Sequence, residues 1–354
     1  MSYLHDYYLT NYTKCSKCES FLCSWEDLAV TSHSITGVVI PFHVFGGYCI
    51  LSKTPVYMTH YRWPLFNMHF WSCFVDILIS ALITPYLIFP AVAGFPVGLL
   101  QFLEIPVTVQ IWFGIMGIYV MVMSMTILLE NRHNSIPSNR FRITGKLFKF
   151  IYYSARVLIA VSFSMLIFQF VPEDQSSALF QILKSIPCPT EEFFTASGMF
   201  VLVIDETYIN LLAIACVLGV SFEILQMIFF IICCLHYLYF AINGFTSKKT
   251  RKLQIAFFGS IMLQVSIPIL FLLPSFVFLV FSVVSGYYNQ ALTNFSVVYA
   301  SIHGLLSTLV VLTIHKPYRK FIRSLLGMSN AVDLQNKSMF NTRKASVFPT
   351  HVTA

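Results

Sequence analysis

Long apolar runs separated by short polar stretches set the pattern of the chain. Crossing about 30 Å of hydrocarbon takes roughly 20 mostly apolar residues in a helix. Seven segments meet that requirement: residues 31–51, 67–92, 107–129, 148–171, 207–238, 255–284 and 295–314. The pattern predicts an all-α membrane protein built as a bundle of seven transmembrane helices. The fifth and sixth runs are long enough to tilt or to project past the bilayer. The first run is polar from Thr31 to Thr36. Residues 1–30 hold Asp6, Glu19, Glu26 and Asp27 and lack the apolar stretch of a cleavable leader, so the first span is expected to direct its own insertion.

Composition sharpens this. Apolar residues make up 57% of the 354 and charged residues 10%, and mean hydropathy is +0.74. An ordinary soluble domain carries roughly 25% charged residues. With 35 Phe and 18 Tyr the chain has too much apolar surface for one water-facing domain. Disorder, collagen and a coiled coil are excluded as well.

The net charge of +7 could suggest nucleic acid, but the placement of the charges argues against it. They cluster in short runs between the apolar segments, as loops at a membrane face do. With the N-terminus outside, the first cytoplasmic loop carries Lys53 and Arg62. The next carries Arg132, Arg140, Arg142, Lys146 and Lys149, and the third Lys248, Lys249, Arg251 and Lys252. The tail adds Lys316, Arg319, Lys320, Arg323, Lys337, Arg343 and Lys344. That makes eighteen basic residues against three on the other side, Lys14, Lys17 and Lys184. The positive-inside rule therefore predicts an external N-terminus and a cytoplasmic C-terminus. Glu173, Asp174, Glu191, Glu192, Asp205 and Glu206 fall in the opposite, outer loop between spans 4 and 5. An Asn-Tyr-Thr acceptor for glycosylation at Asn11 also falls outside.

Seven spans with this orientation follow the plan of G-protein-coupled receptors. Particular segments add a narrower likeness: Tyr48-Cys-Ile-Leu-Ser-Lys-Thr-Pro-Val-Tyr-Met58 after span 1, Thr84-Pro-Tyr-Leu and Pro90 to Gly98 after span 2, and Glu130-Asn-Arg132 after span 3. His303-Gly-Leu-Leu-Ser-Thr308 then leads into His315-Lys-Pro-Tyr-Arg-Lys-Phe321. This set, in this order and over roughly residues 20–327, resembles the nematode chemoreceptors called serpentine receptor class H. The resemblance implies a plasma-membrane receptor at the sensory cilia of chemosensory neurons. It would bind a small odorant or pheromone-like ligand and activate a heterotrimeric G protein. Both a monomer and a dimer remain open. The chain departs from the better-known rhodopsin-like pattern. It has no Asp-Arg-Tyr after span 3, no Asn-Pro-x-x-Tyr in span 7, and no cysteine near the outer end of span 3. Span 7 contains no Lys, which removes a retinal Schiff base, and no other cofactor is implied.

On this plan Arg132, with Glu130 two residues before it, is the candidate for the coupling face. A guanidinium there can hold the bundle closed or meet a G-protein helix. The plain alternative is an interfacial arginine that satisfies the charge rule. Residues 316–326 suit a short amphipathic eighth helix lying on membrane lipid, with Pro317 in its first turn and Gly327 at its stop. Tyr318, Phe321, Ile322, Leu325 and Leu326 fall on one face and Lys316, Arg319, Lys320 and Arg323 on the other. Tyr318 and Arg319 join the coupling candidates, although the segment could serve as an anchor alone. Residues 328–354 read as a disordered polar tail holding a basic-serine motif at Arg343-Lys-Ala-Ser346.

Ionisable groups inside spans suggest partners. Asp76 and His303 fall at matching depth, with Ser307 one turn on. They are expected to form a polar cluster that holds a cation or proton, or merely a hydrogen-bonded packing contact. Arg156 and Glu223 are expected to pair, unless Arg156 snorkels. Pro268 and Pro274 interrupt span 6 and suit a hinge, although prolines are common in membrane helices. By depth, Gln110, Trp112, Tyr208 and Asn210 are the candidate lining of a ligand pocket between the helices. His69 and His236 read as structural, and no third ligand points to a metal. Cys15, Cys18, Cys23 and Cys188 lie outside and allow three complete pairings. A bond from Cys23 to Cys188 is expected to pin the tail over the pocket. A transporter or ligand-gated channel is the competing class. No internal repeat supports a transporter, and no catalytic motif supports an enzyme.

Overall fold

A computed structural model describes residues 2–136, 139–196, 198–240 and 247–327 of the chain. The tail 328–354 and its serine motif lie outside the described residues. Among those residues, seven helices are long and apolar enough to cross a membrane.

The short helix α1 (Ser2–Thr10) leads to α2 (Trp25–Lys53), the first span. The second span is α3 (Thr59–Ile77) with a π-helical turn over Leu78–Leu82. Strands β1 (Pro85–Ile88) and β2 (Ala93–Pro96) and the short α4 (Leu99–Phe102) follow. The third and fourth spans are α5 (Val107–Asn134) and α6 (Lys146–Ile167). The loop after them holds α7 (Gln175–Ser185), α8 (Glu192–Thr195) and β3 (Phe200–Val201). The fifth and sixth spans are α9 (Glu206–Leu235) and α10 (Lys248–Ser285). The seventh is split into α11 (Gln290–Ser301) and α12 (His303–Ile314), and α13 (Lys316–Leu325) follows.

Local chemistry fixes the ends. Ser24 Oγ accepts from Asp27 N–H at 3.1 Å and caps α2. Asp174, Asp205, Ser247 and Asn289 do the same for α7, α9, α10 and α11. Each side chain meets an N–H that has no partner inside its helix. Thr54, extended before Pro55, ends α2, and Gly286, at φ 68°, ends α10. Gly327, at φ 69°, follows α13, which has Pro317 in its first turn as expected.

Two differences from the sequence pattern stand out. The second span begins at Thr59 and its helix ends at Leu82, rather than covering 67–92. The apolar run to residue 92 is instead a hairpin, because prolines at 85, 90 and 96 cannot continue a helix. The bundle is therefore not purely α-helical. It carries a three-stranded antiparallel sheet in the order β1-β2-β3, with Tyr86 opposite Phe95 and Gly94 opposite Phe200. A Cβ on Gly94 would lie 2.3 Å from Tyr86 O, so this pairing needs glycine. The other spans start within about seven residues of their expected positions, and the polar start of the first is accounted for by burial. Thr36 Oγ1 meets Ser80 Oγ at 2.6 Å inside the bundle.

One buried cluster sits at the sheet end. Tyr86, Ile88, Phe95 and Val201 pack there with Leu28, Ile182, Val297 and Val298. A second joins α3, α5, α9 and α10 through Met68, Met121, Met125, Leu128, Met227 and Ile261. A third, at the other end, joins α2, α3, α12 and α13 through Ile50, Leu65, Leu312 and Tyr318. Outward faces remain apolar: Leu158, Ile159, Leu218, Leu225, Leu270 and Val277 are exposed. Water disfavours so extensive an apolar belt, and lipid chains accept it.

Candidate functional site

The deepest polar assembly centres on Asp76 of α3. His303 Nδ1 lies 2.7 Å from Asp76 Oδ1, and His43 Nε2 of α2 lies 3.4 Å from Oδ2. All three side chains are almost fully buried. The break at Ile302 supplies the remaining contact. It leaves the first N–H groups of α12 without helical partners, and Leu305 N–H donates to Asp76 Oδ2 at 3.0 Å. Close approach of the helices needs small residues. A Cβ on Gly304 would stand 2.3 Å from Asp76 Oδ2, and one on Gly46 would stand 2.7 Å from Thr308 Cγ2.

Further hydrogen bonds orient these groups. His43 Nδ1 is 3.1 Å from Thr308 Oγ1, and His69 Nε2 is 3.1 Å from His43 O. Asp76 and His303 thus meet as their depths suggested. Ser307 is buried one turn on and makes no hydrogen bond with Asp76 among the described residues. His43 was not among the sequence candidates. It is an ionisable group inside an apolar run, the same signal that singled out Asp76.

At the far end of the bundle from the sheet, Arg132 is buried and bridges three helices. Its Nη1 donates to Tyr61 OH of α3 at 3.0 Å and its Nη2 to Gln254 O of α10 at 2.8 Å. The guanidinium also lies 5.6 Å from the centre of the Phe257 ring. Glu130 faces elsewhere, as a two-residue separation on a helix requires. It meets Lys149 Nζ at 2.7 Å, Asn134 Nδ2 at 2.8 Å and the Tyr153 hydroxyl. Tyr318 points inward rather than outward: it is fully buried, with its hydroxyl 2.6 Å from Thr54 Oγ1. Arg319, beside it, is exposed. Between α12 and α13, His315 Nε2 lies 2.7 Å from Gln264 Nε2, and burial pushes His315 down to about 4.

Arg156 and Glu223 form the expected ion pair between α6 and α9, both almost fully buried. Arg156 Nη1 also donates to Gln226 Oε1 at 3.2 Å, and Thr126 Oγ1 donates to Glu223 Oε2 at 3.3 Å. Pro268 and Pro274 lie inside the continuous α10. Pro274 deprives Leu270 O of its helical donor, and the Tyr299 hydroxyl takes that place at 3.3 Å.

The sheet end is tied to the N-terminal tail. The loop cysteine Cys188 bonds Cys15, and Cys18 bonds Cys23, so the expected Cys23–Cys188 pairing is corrected. The tail is still bonded to the loop, through a different cysteine. The reason lies in the fold of the tail: Tyr8 and Tyr12 pack on Phe194 and carry Cys15 over the loop. Tyr8 OH donates to Glu191 Oε1 at 2.9 Å, which together with Lys17 holds the Glu191 carboxyl below the usual range. Asn11 is exposed beside them.

The four pocket candidates do not converge. Gln110 is fully buried and lines a cavity under the sheet. Trp112 Nε1 donates to Ser164 Oγ of α6 at 3.1 Å. Tyr208 stacks on Phe170 with ring centres 4.5 Å apart and is 45% exposed, and Asn210 is exposed.

A bundle of seven membrane-length apolar helices around a buried polar hub defines a multi-pass membrane protein. Squid rhodopsin superposes with a TM-score of 0.54 over 97% of this chain and 96% of its own, at 12% identity, which speaks to the fold alone. Residues 23–328 match the family described as serpentine type 7TM GPCR chemoreceptor Srh. Serpentine receptor class H-72 of Caenorhabditis elegans is 33% identical over 346 residues, covering 96% of this chain and 98% of that protein. The chain belongs to the Srh family of serpentine chemoreceptors.

Proposed function

We propose that the chain is a chemosensory receptor that binds a small odorant or pheromone-like ligand and activates a heterotrimeric G protein. On this reading the sheet end lies outside, Asn11 is open to glycosylation and the Arg132 end faces the cytoplasm. The observation that carries the coupling assignment is the buried Arg132, which joins α5 to α3 and α10 at the basic end of the bundle. A group that clasps three helices there can report their separation to a G protein. Glu130 positions the neighbouring α6 through Lys149 and Tyr153, and buried Tyr318 seats α13 so that Arg319 is presented. The hub of Asp76, His303 and His43 acts as the switch, with Ser307 alongside, and Pro268 and Pro274 give α10 its hinge. The exposed side of α13 lies on membrane lipid.

The test is Arg132→Ala. Agonist-driven signalling is expected to disappear while the tagged receptor remains at the cell surface. Unchanged signalling would refute the role of Arg132, and a ligand-evoked current without G protein would refute the receptor reading itself. A C-terminally tagged receptor expressed in a nematode is expected at the sensory endings of chemosensory neurons. Signal confined to gut or muscle would overturn that location.

A further inference from the structure

Under the sheet lies a cavity of about 220 Å³. Leu87 of β1, Phe89 just beyond it and residues 93–96 of β2 line it. The first turns of α5 close it through Gln110, Ile111 and Ile115. No charged side chain is among its described lining residues. A void of about 150 Å³ lined by carbon holds benzene, so this one has room for a molecule of roughly seven to ten non-hydrogen atoms. An ion would lose its hydration there with nothing in exchange.

One wall residue departs from this apolar character. Gln110 is fully buried, and its Nε2 donates one of its two hydrogens to Ile105 O at 2.8 Å. Its Oε1 has no hydrogen-bond partner among the described residues. A buried amide oxygen without a donor is unfavourable, so the site offers an unmatched acceptor to a ligand that brings a donor. Trp112, Tyr208 and Asn210 are not part of this wall.

We propose that this cavity binds a small, uncharged, mainly hydrocarbon molecule with a single hydrogen-bond donor at one end, such as a short alcohol, which donates to Gln110 Oε1. This deepens the receptor reading and rests on it for its biological meaning. The binding itself stands on the cavity and the unmatched oxygen.

The experiment uses the full chain in lipid nanodiscs and a hexanol analogue carrying a diazirine. Photolabelling is expected on peptides within residues 85–96 and 107–115. 1-Hexanol is expected to displace the label at roughly five- to tenfold lower free concentration than 1-fluorohexane, which has nearly the same shape and no donor. Gln110→Leu is expected to erase that ratio, and Ile111→Trp, which fills the cavity, to abolish labelling. If Gln110→Leu does not fold, the wild-type ratio and Ile111→Trp still decide. Labelling confined to lipid-facing helices, or equal displacement by the two competitors in the wild-type chain, would overturn the proposal. Labelling is read without a G protein. A chain that is labelled here and never signals would leave the cavity assignment standing and defeat the receptor reading. A chain that signals to short alcohols without labelling here would do the reverse.

Discussion

The pair of Arg156 and Glu223 offers the most direct test of what holds the fourth and fifth spans together. Both side chains are under one-tenth exposed and lie between α6 and α9 in the membrane-spanning part of the bundle. Two unit charges about 4 Å apart attract by about 4 kcal/mol at an effective dielectric constant of 20. Removing one partner also leaves the other charge buried, and such losses run to about 3–5 kcal/mol. The two single variants are not equivalent. Glu223→Leu leaves Arg156 with Gln226 Oε1 and two tyrosine rings within 6 Å, so its loss should lie near the lower bound. Arg156→Leu leaves Glu223 with the Thr126 hydroxyl and no cation, so its loss should lie near the upper bound. Replacing both by leucine removes two desolvation penalties together and should land within about 1 kcal/mol of the parent chain. The two single losses together should exceed the loss of the double variant by at least about 5 kcal/mol, a coupling equivalent to a thousandfold or larger change in the ratio of folded to unfolded protein. Surface expression and thermal inactivation in detergent read it directly. Each single variant should lose most surface protein, and the double variant should recover it. A snorkelling Arg156 predicts that Glu223→Leu is harmless and that the two losses add, and that result would refute the pairing.

Other outcomes follow from the same geometry. Gly304→Ala places a methyl group 2.3 Å from Asp76 Oδ2, a carboxylate already held by three partners, and should cost about 1–3 kcal/mol in detergent stability. Gly259→Ala, with open space around its Cβ, is the control, and equal losses would argue against the tight hub. His315 sits below its unfolded value of 6.5, at about 4, so the unfolded chain binds the extra proton first. Its contribution is complete above pH 6.5 and is lost as pH falls toward 4. The thermal midpoint of the parent chain should drop more steeply over that window than that of His315→Gln, and parallel curves would exclude the effect. Non-reducing peptide mapping should recover Cys15 bonded to Cys188 and Cys18 bonded to Cys23, and a Cys23–Cys188 peptide would contradict the observed pairing.

Depth along a span was legible in the sequence, and rotation about its axis was not. Counting at 1.5 Å per residue brought Asp76 level with His303 and Arg156 level with Glu223. The same counting gave Trp112, Tyr208 and Asn210 the height of a pocket but could not show which way they face, because these helices are apolar on most sides. Arg132 was found from the charge pattern, yet its contacts with Tyr61 and Gln254 depend on helix packing. The hairpin was hidden for a different reason. Residues 83–92 are as apolar as the helix before them, so hydropathy carries straight through. The breaks are written only in Pro85, Pro90 and Pro96. Disulfide connectivity is a property of the folded tail, and the chain alone left three pairings open.

The two polar assemblies are joined by a single element. Helix α3 carries Tyr61, which meets Arg132, and Asp76, which meets His303 and His43. Fifteen residues separate them, about 22 Å of helix. Just beyond its last turn, the chain enters β1, whose partly buried face lines the cavity beside Gln110. The position of α3 is thus fixed at one end by the arginine clasp, at mid-height by the hub and at the other end by the sheet. Packed interfaces of this kind shift between discrete arrangements more readily than they deform continuously. An occupant that moves the sheet by a fraction of an ångström therefore acts on the one helix that both polar assemblies hold. Glycine at positions 46 and 304 keeps the helices close enough for that movement to reach Asp76.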